Sequence, residues 1–154
     1  MKNLLFLGLL AFTQLSYSQC EILNRVHPEG SMLYYMKPVN FYWTSTKSLK
    51  GCIVTDKENY FLEMHPVPFP EKPLGNKLKK ELELTLSNGE VCKLNHYDTR
   101  YVDNDAVMEL LYLINKTDLN NLGKFEVAEA TIDMLGTEGI RRYKAIKTVQ
   151  LILL

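Results

Sequence analysis

The sequence lacks the marks by which most catalysts are recognised. It contains no Gly-x-Ser-x-Gly elbow for a serine hydrolase and no glycine-rich phosphate loop. Its three histidines, His27, His65 and His96, stand far apart, so the histidine pair of a zinc protease, one helical turn apart, is missing. An excess of charge is missing too, because 18 basic residues balance 18 acidic ones. A near-neutral surface of mixed sign has no electrostatic reason to seek phosphate backbones or anionic membranes, which argues against nucleic-acid binding. Cysteine is scarce: Cys20, Cys52 and Cys92 allow at most one intramolecular bridge. If a bridge forms, Cys52 and Cys92, both in strand-like segments, are the first choice of pair, although a bridge to Cys20 would tether the N-terminus; buried thiols acting as small apolar residues are an equal alternative. Their spacing of 40 residues, with no second cysteine or clustered histidine nearby, does not fit structural zinc. No metal and no cofactor is expected.

Long apolar runs are also absent, apart from one at the start. "MKNLLFLGLLAFTQLSYSQC" has Lys2, an apolar run from Leu4 to Phe12, and Ser16 and Ser18 at minus three and minus one of a cut after Ser18. This is the layout of a secretory signal peptide. The run is too short for a spanning helix, which takes about 20 residues, so no transmembrane segment is expected. The predicted organisation is a signal peptide at residues 1–18 and a single sheet-rich domain at residues 19–154, exported to the periplasm or secreted. Removing 18 of the 154 residues leaves 136, and losing Lys2 takes the formal charge from zero to −1. Cys20 offers a second reading, lipid attachment, but Gln19 fits poorly before a lipidated cysteine and simple export is preferred.

What the sequence does have is alternation. In "KLKKELELTLSNGEVCKLNHY", Leu78, Leu82, Leu84 and Leu86 share one face while Lys77, Lys79, Glu81, Glu83 and Thr85 share the other. Such a strand has one face in the core and one in water. A two-residue turn at Asn88-Gly89 would set Leu84 against Lys93. A three-residue turn, Ser87-Asn88-Gly89, sets Leu84 against Cys92 and Leu82 against Leu94. The second register is expected, with Gly89 in the left-handed conformation and Cys92, Leu94 and His96 on the inward face.

Further strands are expected at "NFYWTST", with Val39, Phe41 and Trp43 on one face, and at "GCIVTDKENYFLEMH", around a turn from Asp56 to Asn59. "HPVPFPEKPLGN" holds four of the six prolines and is expected to be an extended loop or edge, a rigid connector or a partner-docking segment. "DAVMELLYLIN" suits either a helix or a buried strand. Thr117 or Asp118 can cap a short helix near 118–123 that Gly123 ends, and Ala128 to Met134 alternates as a strand. "AIKTVQLILL" reads as a C-terminal helix. Its apolar end predicts either docking on the core or a chain that continues past residue 154. The expected fold class is α+β, a mostly antiparallel sheet with two helices.

That order of strand, "DLNNL" helix, alternating strand, short strand and apolar terminal helix, behind a signal ending "SYSQ", resembles small exported proteins of Bacteroidota with no assigned function. The resemblance covers the signal and the C-terminal third. It implies a strand at "VMELLYLI" and implies no activity.

The densest chemistry is "HYDTRYVDND", His96 to Asp105. Asp98, Asp103, Asn104 and Asp105 offer oxygens, but a hand-type calcium loop needs acids at alternate positions, a central glycine and a glutamate at its end. Strand alternation puts His96, Asp98 and Arg100 on one side and Tyr97, Thr99 and Tyr101 on the other. Two functions from different classes follow. One is a non-enzymatic exported module that binds a protein, peptide or cell-envelope partner through aromatics, with Trp43, Tyr97 and Tyr101 as binding residues beside Tyr34, Tyr35 and Tyr42. The other is a small hydrolase using His96 and Asp98 with Cys92, although four strand residues place Cys92 beyond direct hydrogen-bond reach of His96.

Overall fold

Alternating apolar and polar residues build strands wherever backbone partners are available. The computed structural model describes residues 21–27, 30–69, 81–102, 107–134 and 139–149. In chain order its elements are β1 (Ile22–Val26), β2 (Met32–Met36), β3 (Val39–Trp43), β4 (Ser48–Thr55), β5 (Tyr60–Val67), β6 (Leu82–Leu86), β7 (Val91–Val102), β8 (Val107–Ile114), α1 (Lys116–Lys124), β9 (Val127–Asp133) and β10 (Ile140–Val149). The strands form one sheet in the order β1-β2-β4-β5-β8-β7-β6-β9-β10, and β3 pairs with β4. Every pairing is antiparallel.

The expected hairpin is present. Leu84 stands opposite Cys92 and Leu82 opposite Leu94, and Gly89 closes the turn at φ +87°, a conformation that costs glycine nothing. β7 then changes partner: Val91 to Leu94 run along β6, and Asn95 to Val102 run along β8. β10 packs beside β3, where Tyr42 meets Tyr143 edge-on at 5.5 Å. The curled sheet thus has an inner face, which buries Leu49, Leu62, Leu84, Leu110, Ile132 and Tyr143 in one cluster. Each such side chain stabilises the fold by about 1.5–3 kcal/mol. At Gly51 a Cβ would lie 2.7 Å from the Met64 sulfur, so the missing side chain is what admits Met64 to this layer.

The structure corrects the α+β expectation to an antiparallel β fold with one short helix among the described residues. "AIKTVQLILL" does not form a terminal helix as far as it is described: up to Val149 it belongs to β10, which pairs with β9 from Ile140↔Asp133 to Val149↔Val127. The ladder offered by β9 overrides a helical periodicity that was only local. Residues 150–154 lie outside the described residues, as do residues 1–20 with the expected signal, the proline-rich residues 70–80, and Asp103, Asn104 and Asp105. The short helix starts earlier than expected. Asn115, not Thr117 or Asp118, is its cap, accepting from the Asp118 amide at 2.9 Å. Gly123 is buried within the helix, which ends at Lys124. "VMELLYLI" is strand β8. Phe41 is buried while Trp43 is exposed, because the β3–β4 register shifts between Asn40 and Tyr42 and breaks their expected common face. Among the described residues no helix is long and apolar enough to cross a membrane.

Candidate functional site

The outer face of β4, β5 and β8 is chemically unlike the inner one. In β5 the even positions Leu62 and Met64 join the inner core. The odd positions Phe61, Glu63, His65 and Val67 face outward. On β8, Glu109 and Leu111 lie on that same outer side, since Glu63 stands opposite Leu111. Glu63 and Glu109 are nearly inaccessible, and the Glu63 side chain is only 2% exposed. A carboxylate at such depth costs several kcal/mol unless compensated.

The compensation comes from Arg25 on β1. β5 and β8 are three and four places along the sheet from β1, about 14 and 19 Å away if the sheet were flat at about 4.8 Å per strand. Arg25 nevertheless binds both acids, so the β1–β2 hairpin must lie across the outer face. Only two rungs join β2 to β4, Tyr34↔Thr55 and Tyr35↔Val54, which leaves the hairpin free to bend over. Beneath it Leu33, Cys52, Val54, Phe61 and Leu111 form a second apolar cluster. The Arg25 guanidinium forks onto Glu109 at 2.8 and 3.0 Å, donates to Glu63, and stacks 5.2 Å above the Tyr35 ring centre. Its Nε is buried with no hydrogen-bond partner. Burial works against the Arg25 charge, but the hydrogen bond to Glu109 and the charges of both acids raise its pKa above the ordinary value.

Glu63 is the hub. One oxygen takes Arg25, and the other accepts from His65 Nε2 at 2.9 Å and lies 3.8 Å from the Cys52 sulfur. Burial alone would push its carboxyl up. The hydrogen bond from His65 and the charges of Arg25, His65 and Arg100 outweigh that, and hold it below the usual carboxylate range. Burial beside this charge pushes the Cys52 thiol far upward, so Cys52 is a protonated donor and no nucleophile. Glu63, His65 and Glu109 have ligand atoms within 4.8 Å of one another, a donor set that suits a divalent ion. Arg25 already engages both carboxylates, so the cluster in this state is an ion-pair network with its charge met from within the chain.

His65 also lines a cleft of about 430 Å³ with Lys37, Pro38, Ser48, Lys50, Val67 and Phe69. The β4–β5 register explains its layout. Lys50 stands opposite His65, and Ser48 stands opposite Val67 two residues away on the same face. Phe69 follows β5 and packs against the inner core, and the preceding residue is tied to β10: the buried Arg141 donates to the Pro68 carbonyl and to the Tyr143 hydroxyl, both at 2.8 Å.

The residues singled out from sequence are dispersed. Cys92 and His96 do face inward as expected. Burial, then the neighbouring Asp118 carboxylate, raises the Cys92 thiol, and His96 bonds Thr99 at 2.8 Å and packs on Tyr112. Asp98 is not with them. The β7–β8 register jumps from His96↔Tyr112 to Asp98↔Leu111, leaving Tyr97 as an extra residue. This bulge reverses the alternation beyond it. Asp98 and Arg100 therefore turn outward and pair at 3.3 Å, while Thr99 joins His96. The expected grouping of His96, Asp98 and Arg100 on one face is thus corrected. Of the two readings of Cys52 and Cys92, bridged or buried as thiols, this structure has both thiols free, with Cys52 in the outer cluster and Cys92 in the inner core.

The aromatic residues do not form one patch either. Tyr97, 49% exposed, leans on Phe61 at 4.8 Å near one end of β5. Trp43, 51% exposed, stands opposite Ser48 at the other end. Tyr42 packs into the core, Tyr34 lies under Lys57, and Tyr35 lies under Arg25. Tyr101 belongs to β7, but its side chain lies outside the described residues.

Sequence reasoning passed over Arg25, Glu63, His65 and Glu109. A usable signal was there: "YFLEMHPV" is apolar at both parities except for Glu63 and His65, two residues apart, and "VMELLYLI" carries Glu109 alone. An acid in a strand buried on both faces requires a partner from elsewhere. No family model matches this chain, and no curated protein or solved structure matches it.

Proposed function

We propose that this chain is an exported, non-enzymatic binding module that takes a cell-envelope component on the outer face of its sheet, with the cleft beside His65 as the ligand seat. One observation carries the reading: the cleft of about 430 Å³ lies on two fully paired strands, and His65 in its wall is fixed by the buried Glu63. A preformed concavity of this size, largely apolar with a few placed polar groups, is what small-ligand sites have in common. Export rests on the "MKNLLFLGLLAFTQLSYSQ" segment. Trp43, opposite the cleft residue Ser48, extends the same surface, and Tyr97 and Phe61 mark a separate aromatic area on that face.

The hydrolase reading needs His96, Asp98 and Cys92 to work on one reacting atom. A raised, inward Cys92 thiol and an outward Asp98 give it no gathered constellation. An amide chemical-shift screen of small amphiphiles and peptides tests the choice. Shifts clustered at Ser48, Lys50, His65 and Val67 are expected. Shifts that avoid these residues, or hydrolysis of an ester or peptide library that Cys92→Ala abolishes, would overturn the proposal.

A further inference from the structure

The cleft contains two kinds of surface in a fixed order. The rung formed by Lys50 and His65 is cationic or polar, and the next rung on the same face, Ser48 and Val67, leads to Phe69 and Pro38, which are apolar. The two rungs are about 6–7 Å apart at about 3.3 Å per strand residue. Lys37 adds a second ammonium to the lining. Among the described residues no carboxylate pairs with Lys37 or Lys50. The nearby acids are already committed: Glu63 to Arg25 and His65, and Glu109 to Arg25. Among the described residues, then, the cleft has the ammonium groups of Lys37 and Lys50 at one side of an apolar trough with no carboxylate paired to them.

Resting on the binding reading above, we propose that the ligand is a single-chain amphiphile with an anionic head, its head at Lys37, Lys50 and His65 and its chain along Val67, Phe69 and Pro38. Lys37 and Lys50 are exposed, so their attraction for an anion is modest and screened by salt, and it selects the sign of the head more than it supplies affinity. The chain buries apolar area that a free anion such as acetate lacks. Neither half alone accounts for a trough with this arrangement, and the two together select for the amphiphile.

Titration calorimetry on the intact protein, below the micelle-forming range of each probe, tests this with decanoate, decyl phosphate, decylammonium and acetate. Decanoate or decyl phosphate is expected to bind at least tenfold more tightly than decylammonium, and whichever of the two is tighter identifies a carboxylate or a phosphate head. Acetate should give no measurable heat. Lys50→Glu, at an exposed position that folding does not depend on, should weaken the anionic probes at least tenfold and strengthen decylammonium. Val67→Asp should weaken every ten-carbon probe. Equal affinity for decanoate and decylammonium, or no response to Lys50→Glu, would overturn the anionic-head proposal while the binding reading stands. If no probe or peptide shifts the cleft residues, both fall.

Discussion

Leu62, Met64 and Pro66 point one way from β5, and Phe61, Glu63, His65 and Val67 point the other, so one strand serves two environments. On the inner side the partners are Leu49, Leu110, Tyr112 and their neighbours, held by burial that depends on area and volume. On the outer side stability depends on Arg25 reaching two buried carboxylates, of which Glu63 has His65 as a second partner. The inner face tolerates many sequences of the right volume. The outer face fails if a single partner is lost, and that sensitivity comes with a residue, His65, that reaches the cleft.

The comparison is broken most severely by Arg25→Met, which takes from buried Glu109 its cation and leaves buried Glu63 with only the His65 hydrogen bond. A loss of about 3–5 kcal/mol is expected in urea denaturation. Adding Glu63→Gln and Glu109→Gln should recover most of it, because neutral amides need no cation. If the triple variant is as unstable as the single one, packing and not charge fixes the hairpin. Leu62→Ala tests the other side of the strand. With its side chain fully buried, it should cost about 2–5 kcal/mol, and by the same amount at every pH where the protein folds.

A smaller effect separates the faces by pH. The Glu63 carboxyl is held below its ordinary value, so its unfolded-state pKa is the higher of the two. The stability it contributes is fully present above that unfolded value and is lost as pH falls through the lower folded value. Denaturation midpoints should therefore drop more steeply on acidification in the parent protein than in Glu63→Gln, with the two curves parallel at neutral pH. Parallel curves throughout would mean that Glu63 carries no net linkage.

The inner face was legible because strand alternation is a local rule. The Leu84↔Cys92 register followed from matching apolar faces across the turn, and Gly89 fitted the turn that this register required. The rule stopped at Tyr97, where one unpaired residue reversed the faces and separated Asp98 from His96. No local pattern marks such a bulge. The outer cluster was illegible for another reason: Arg25 is 38 residues from Glu63 and 84 from Glu109, and only the hairpin folded across the sheet brings them together. The terminal segment was misread because the partner that makes it a strand, β9, is supplied by the tertiary fold.

The mildest tests lie within the outer face, between its two aromatic ends. Tyr97 covers Phe61 at 4.8 Å, so Tyr97→Ala should cost about 0.5–1.5 kcal/mol from the ring pair. Trp43 is half exposed and has no ring partner among the described residues, so Trp43→Ala should change stability by no more than about 0.5 kcal/mol. If Trp43→Ala leaves thermal unfolding unchanged and weakens decanoate binding, the ligand surface runs from His65 past Ser48 to the β3 edge. If it destabilises the protein as much as Tyr97→Ala, Trp43 is part of the packing and the binding surface ends at Ser48.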